Sequence, residues 1–318
     1  MARVRRRSFL LGVSAAAAGA LTMRATAAGA AGRGTRSASQ ILASVKTSTL
    51  TPRQITPYVP PAGTAPAGVN SVGRADYPFI RDGRSLPTRV WYPVGPGPYP
   101  LLVFSHGMLS QPDDYAALLV SWALTGVVVA APLYPHTSLG TAAFNAYDVA
   151  NQPLDASAVL TQVAAQNTAS GPLRGRIDAS RMAAAGHSAG GITTVGMFSA
   201  YRDERLQAGI VLAGTDFLAT PFTGAPAAML FVHGRKDDTV SWSAGHTVFE
   251  AVPWSRAMLS FTDGGHQTST AEFPTVSRGG AAFLRWALYG GTPALSAGSL
   301  ATLEDQLSAA RTSAGSAS

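Results

Sequence analysis

The chain has 318 residues, 46% of them apolar and 13% charged, enough material to bury a sizeable core in one large or two modest domains, which excludes a disordered chain. Its net charge of +7 is mostly local: Arg3, Arg5, Arg6, Arg7 and Arg24 lie in a stretch without acids, and +7 less these five leaves +2, with no basic stripe interleaved with aromatics for nucleic acid to bind. The absence of cysteine rules out disulfides, thiolate metal sites and a cysteine nucleophile together.

The first element in chain order is a leader. Arg6-Arg7-Ser8-Phe9-Leu10-Leu11 is a twin-arginine pair followed by an apolar stretch to Leu21 and a small-residue cleavage pattern, Ala25-Thr26-Ala27, the grammar of a twin-arginine export signal over residues 1–27. The apolar stretch, about 13 residues, falls short of the ~20 a membrane span needs. The expected location is therefore secreted or in the cell envelope, with no stable membrane span after cleavage. Residues 28–70 are rich in Ala, Thr, Pro and Gly and read as an extended linker, because Pro57, Pro60, Pro61 and Pro66 remove the backbone donors a regular element needs.

A domain over residues 71–291 follows. Tyr77–Ile80 and Thr88–Tyr92, separated by the turn-prone Arg81-Asp82-Gly83, predict two antiparallel strands. The short apolar runs Leu101–Ser105, Val127–Ala131, Met182–Gly186, Ala208–Leu212, Met229–Val232 and Met258–Phe261 lack polar alternation, the pattern of strands buried on both faces. Helical segments are expected between most of them: from Pro112-Asp113-Asp114 to a stop at Gly126, then Pro153–Ala165, Gly190–Ala200, Ala244–Val252 and Gly280–Leu288. Strands alternating with helices predict an α/β fold with a mostly parallel sheet covered on both faces. Residues 292–318 read as an Ala/Ser-rich tail in which a short helix is expected near Leu303–Arg311.

Gly186-His187-Ser188-Ala189-Gly190 fits G-x-S-x-G between a strand and a helix, where two glycines permit the sharp turn that exposes a serine hydroxyl. Such a serine needs a base and an orienting acid further along, in the order Ser, acid, His. His266 follows Asp263-Gly264-Gly265 directly after a strand and is the expected base, whereas His246 falls within a helix and reads as a surface or packing residue. Asp237 is the leading acid, in Gly234-Arg235-Lys236-Asp237-Asp238, with Asp238 and then Asp216 as alternatives; Asp216 would otherwise cap its own turn. The backbone N–H groups of Met108 and Ala189 are the expected oxyanion donors. His106, His187 and His233 read as hydrogen-bonded structural residues, and His136 as a pocket-lining or loop-capping one.

In this order and spacing, Phe104-Ser105-His106-Gly107-Met108, Gly186-His187-Ser188-Ala189-Gly190-Gly191, Gly234-Arg235-Lys236-Asp237 and Gly265-His266 resemble the α/β-hydrolases of the dienelactone-hydrolase, platelet-activating-factor-acetylhydrolase and cutinase-like polyesterase group. Arg84–Pro93 resembles that group's second strand. Polyesterases of the group carry an aromatic where this chain has Met108, and dienelactone hydrolases proper a cysteine nucleophile. The resemblance implies an α/β-hydrolase fold and serine ester hydrolysis without metal or cofactor.

The stretch from Leu212 to Met229 is too short for a helical cap, so an open site is expected, for a small-molecule or polymeric ester. The rival readings are a peptidase or amidase on the same triad, and a noncatalytic binding protein that retains the fold.

Overall fold

The computed structural model describes residues 55–290; the expected leader, residues 28–54 of the expected linker and the tail with its expected short helix lie outside them. Strand β1 (Val72–Arg81) turns at Asp82 and Gly83, both with positive φ, into β2 (Arg84–Pro93), and the two pair antiparallel along their whole length. This two-residue left-handed turn matches the twist of the strands it joins. The remaining strands are β3 (Tyr99–Ser105), β4 (Val128–Pro132), β5 (Ile177–His187), β6 (Leu206–Leu212), β7 (Ala228–Gly234) and β8 (Arg256–Phe261). All lie in one sheet, ordered β1-β2-β4-β3-β5-β6-β7-β8, antiparallel as far as β2 against β4 and parallel from β4 onward.

Alternation along the strands divides the interior in two. Leu102 and Phe104 of β3 enter one core with Val129, Ala183 and Ala185, covered by Leu119 and Trp122 of α1 (Ala116–Ala123) and Phe283 and Leu284 of α6 (Phe273–Tyr289). Leu101 and Val103 enter the other, with Val128 and Ala184, under α2 (Gln152–Ala165), α3 (Ala189–Met197) and α4 (Trp242–Ala251), which supply Leu160, Val195 and Val248. A short helix, α5 (Thr268–Ala271), precedes α6. The expected α/β class and doubly covered sheet are thus present. Residues 213–227, where a cap would be inserted, contain neither helix nor strand.

Several boundaries differ from expectation; β1 and β5 begin earlier, at Val72 and Ile177, and three helical ones have identifiable forms. The segment opening at Pro112 is first a 3₁₀ turn, Pro112–Tyr115, and becomes α-helical only at Ala116. Helix α3 stops at Met197, short of Ala200. Helix α6 begins at Phe273, seven residues before Gly280: its amphipathic pattern runs through Gly279-Gly280, poor helix formers that mask it in the sequence. Gly280 has a packing reason, since a Cβ there would lie 2.7 Å from the Trp122 indole nitrogen on α1.

The β1–β2 hairpin is fastened by charge to α2 and to the 3₁₀ turn Ala146–Ala150 before it. The Arg84 guanidinium forks onto Asp148 (2.9 and 2.6 Å) and onto Asp155 (3.0 and 2.7 Å), and Arg81 Nε adds a 2.7 Å bond to Asp155. Both carboxylates are buried. Removing one partner of such a cluster leaves charge in a poorly hydrated place, a far larger cost than losing a surface pair. Arg84→Met is expected to lower unfolding stability by about 3 kcal/mol, read from urea denaturation; a loss below about 0.5 kcal/mol would show the cluster to be energetically neutral.

Candidate active site

The parallel strands end on one edge of the sheet, and the expected site residues follow those ends. Ser188 is the single residue between β5 and α3, with φ 56° and ψ −117°, a left-handed conformation costly for a residue with a side chain. It survives because its neighbours allow the backbone to close in. A Cβ on Gly186 would lie 2.1 Å from the Gly190 carbonyl oxygen, and one on Gly190 would lie 1.9 Å from that of Ser105. The turn is further held by the Ser188 N–H, which donates to the Leu212 carbonyl on β6 (2.9 Å).

Asp237 follows β7 and His266 follows β8, and these adjacent loops are tied by the Lys236 N–H donating to the Gly264 carbonyl (2.9 Å) and the Arg235 N–H to that of Phe261 (2.8 Å). His266 Nδ1 lies 2.8 Å from Asp237 Oδ2 and its Nε2 lies 2.9 Å from Ser188 Oγ. An ionised carboxylate only accepts, so Nδ1 carries the proton and Nε2 is left to accept from the serine hydroxyl. The structure therefore brings Ser188, Asp237 and His266 into one hydrogen-bonded chain.

The Asp237 side chain is fully buried. Burial alone would raise its pKa, but hydrogen bonds from His233, His266 and the Val240 N–H outweigh it and hold the carboxyl well below the usual carboxylate range. The bonds are visible: Asp237 Oδ1 accepts from the N–H groups of Thr239 (2.9 Å) and Val240 (2.8 Å). His233 Nε2 lies 3.2 Å from Oδ2 and 2.8 Å from the Val240 carbonyl, and since both oxygens accept, that nitrogen carries its proton.

The alternatives fall elsewhere. Asp238 is exposed, and Asp216 accepts from the Leu218 N–H (2.8 Å), capping its own turn. His246 stacks on Trp242 at the surface of α4. His106 donates from Nδ1 to the Gly107 carbonyl (2.8 Å) and accepts at Nε2 from the Tyr134 N–H (3.1 Å), and burial brings its pKa down to about 4. His136 Nδ1 ties its loop through the Ala143 carbonyl (2.9 Å).

Of the expected oxyanion donors, Ala189 opens α3, where an N–H has no partner within its own helix. Met108 is half-buried in the loop after β3, and Gly107 beside it packs on the serine: a Cβ there would lie 3.4 Å from Ser188 Cβ. A surface cleft of about 430 Å³ between β1, β2 and the Gln111–Asp113 turn, lined by Thr88, Arg89 and Leu133 among others, includes none of these side chains. Its charges neutralise each other, Arg89 pairing with Asp76 and Asp113.

Sequence reasoning gave no specific role to Tyr115, His187 and His233, which hold the site from behind. Tyr115 carries no motif, His187 reveals itself only through contacts between distant loops, and His233 through contacts with Asp237 and Val240 in the loop that follows it.

Because the folded-state pKa of Asp237 is depressed, its carboxylate stabilises the fold above the unfolded value near about 4, and that contribution is lost as pH falls toward the folded value. The stability gap between the wild type and Asp237→Asn is thus expected to be largest near neutrality and to shrink below about pH 4. Thermal melts from pH 7 to acid check this, and a gap independent of pH refutes it.

Residues 75–219 match a family model described as Chlorophyllase. The matched stretch holds the loop after β3 and the Ser188 turn and stops before Asp237 and His266. No curated protein matches the chain.

Proposed function

We propose that this chain, an ester hydrolase of the α/β-hydrolase type, is an exported serine carboxylic-ester hydrolase that works through an acyl-enzyme. The single observation that carries the reading is the Ser188–His266–Asp237 chain of hydrogen bonds, at 2.9 and 2.8 Å, at the strained turn after β5.

In this mechanism Ser188 Oγ attacks the ester carbonyl carbon while His266 Nε2 takes its proton. Asp237, kept anionic, holds the Nδ1–H and stabilises the imidazolium. The carbonyl oxygen becomes an oxyanion, received by the N–H groups of Met108 and Ala189. When the intermediate collapses, the C–O bond to the alcohol breaks and the leaving oxygen takes the proton from His266. A water, deprotonated by the same nitrogen, then attacks the acyl-enzyme, the proton returns to Ser188 Oγ, and the acid departs.

The capless loop 213–227 supports an open site that selects neither the acyl nor the alcohol end tightly. Apolar side chains nearby, Leu109 after β3 and Leu139 and Phe144 after β4, are exposed. The two loops are zipped by a Ser110–Ser138 bridge and by the Leu109 N–H donating to the Thr137 carbonyl (2.7 Å). Short to medium acyl esters with bulky alcohols fit such a mouth. The leader supports export by the twin-arginine route, and no helix among the described residues is long and apolar enough to cross a membrane.

Ser188→Ala is expected to abolish labelling by a fluorophosphonate probe and to lower ester turnover by about 10⁴-fold or more; retained turnover would point to another nucleophile. Asp237→Asn should cost far more activity than Asp238→Asn, measured as kcat/KM on one ester. Matched ester and amide substrates separate the esterase from a peptidase, with the ester much faster, because an amine leaving group demands better-placed protonation. For export, the double change Arg6→Lys with Arg7→Lys should leave precursor in the cytoplasm by immunoblot of cell fractions, and normal secretion of that variant would sink the leader assignment.

A further inference from the structure

The residue before the serine in its motif is bonded on both sides to the machinery it separates. His187 Nε2 lies 2.9 Å from the main-chain carbonyl oxygen of His266, and its Nδ1 lies 2.9 Å from the Tyr115 hydroxyl. A carbonyl can only accept, so Nε2 carries the proton and Nδ1 accepts from the tyrosine. The Tyr115 hydroxyl in turn accepts from the Gly107 N–H at 3.2 Å. One unbroken relay therefore runs from Gly107, next to the oxyanion donor Met108, through Tyr115 and His187 to the backbone of His266.

We infer that His187 and Tyr115 are positioning residues that set the loop after β3 and the loop after β8 in register on either side of Ser188, so that oxyanion donor and base face the same substrate carbonyl. The inference rests on the serine-hydrolase reading above. It concerns groups that touch neither substrate nor the reacting atoms.

The surroundings fit a fixed relay rather than incidental packing. Both side chains are buried, and the His187 ring stands 4.9 Å from that of His266. Burial, opposed in part by the bond to the His266 carbonyl, brings the His187 pKa down to about 4, so it stays an uncharged donor beside an imidazole that becomes charged during turnover. Burial likewise raises the pKa of Tyr115, keeping its proton available to Nδ1. Gly107 presses on the relay: a Cβ there would lie 3.0 Å from the Tyr115 hydroxyl and 3.2 Å from His187 Nδ1. Neither loop could shift without breaking one of these bonds.

The test uses the purified mature enzyme with Tyr115→Phe, His187→Leu, the double variant and His187→Gln, each checked for folding by its thermal melt. Tyr115→Phe removes one oxygen and nothing else, so it decides the matter even if His187→Leu fails to fold. Each single variant is expected to lose about 10- to 100-fold in kcat with KM changed less than about threefold, as for other residues that orient a catalytic group. Fluorophosphonate labelling of Ser188 should slow in proportion. The double variant should lose little more than the worse single one, because both break the same relay, and His187→Gln, whose amide can still donate to the His266 carbonyl, should recover part of the rate. Wild-type kcat and labelling in a folded Tyr115→Phe, or losses that multiply in the double variant, overturn the positioning role while leaving the serine mechanism standing. A wild-type enzyme that is not labelled at Ser188 overturns the serine mechanism, and the positioning role with it.

Discussion

The structure depends on one backbone constraint: the chain must reverse direction between β5 and α3 within a single residue, and that residue must carry a side chain. Ser188 meets it at a positive φ, against the steric preference of residues that carry a Cβ. The conformation is maintained because Gly186 touches Gly190 and Gly190 touches the end of β3, leaving no room for the turn to relax. The fit of β3, β5 and α3 is thus set by the same close approach that presents the hydroxyl. The expense is local strain, offset by two extensive cores on either face of the sheet.

Around that turn the polar groups are arranged by sharing. Asp237 is anionic in a buried place because four donors converge on it, and His266 is oriented because that anion fixes its Nδ1 proton. Neither would hold its state alone: a buried carboxylate without donors would take up a proton, and an imidazole without an acceptor would be free to choose its tautomer. The loops after β5, β7 and β8 are far apart in the chain but adjacent at the sheet edge, which is how a parallel sheet gathers distant residues.

Much of this could be read from the sequence. The central strands were legible because burial on both faces leaves continuous apolar runs, and the nucleophile because G-x-S-x-G followed one of them. The start of β5 was not: Ile177 and Asp178 pair with Tyr99 and Pro100 of β3, but the register then shifts, and Ser180 and Arg181 beyond it are polar and partly exposed, with no apolar run to mark a strand. Asp237 and Asp238 could be ranked but not resolved, because neighbouring residues in a loop have no periodicity to say which faces inward. Tyr115 was invisible for a further reason. Its hydroxyl acts on a histidine 72 positions away, and no local pattern encodes a contact of that range.

The segment before β1 has a topological consequence. Tyr58 is buried and donates to the Ala287 carbonyl (2.8 Å), and Arg285 on the same helix donates to the Pro66 carbonyl (3.1 Å). Close by, a Cβ on Gly290 would lie 2.5 Å from the Pro61 carbonyl oxygen. The beginning and the end of the described chain thus run side by side, and the sheet, open at β1 and β8, is closed as a path of covalent and hydrogen bonds. For an engineer this brings the two ends of the described span, residues 55–290, near each other, so that this span could be joined by a short bridge and reopened at an exposed loop such as residues 168–171, with the order of elements permuted and their contacts kept.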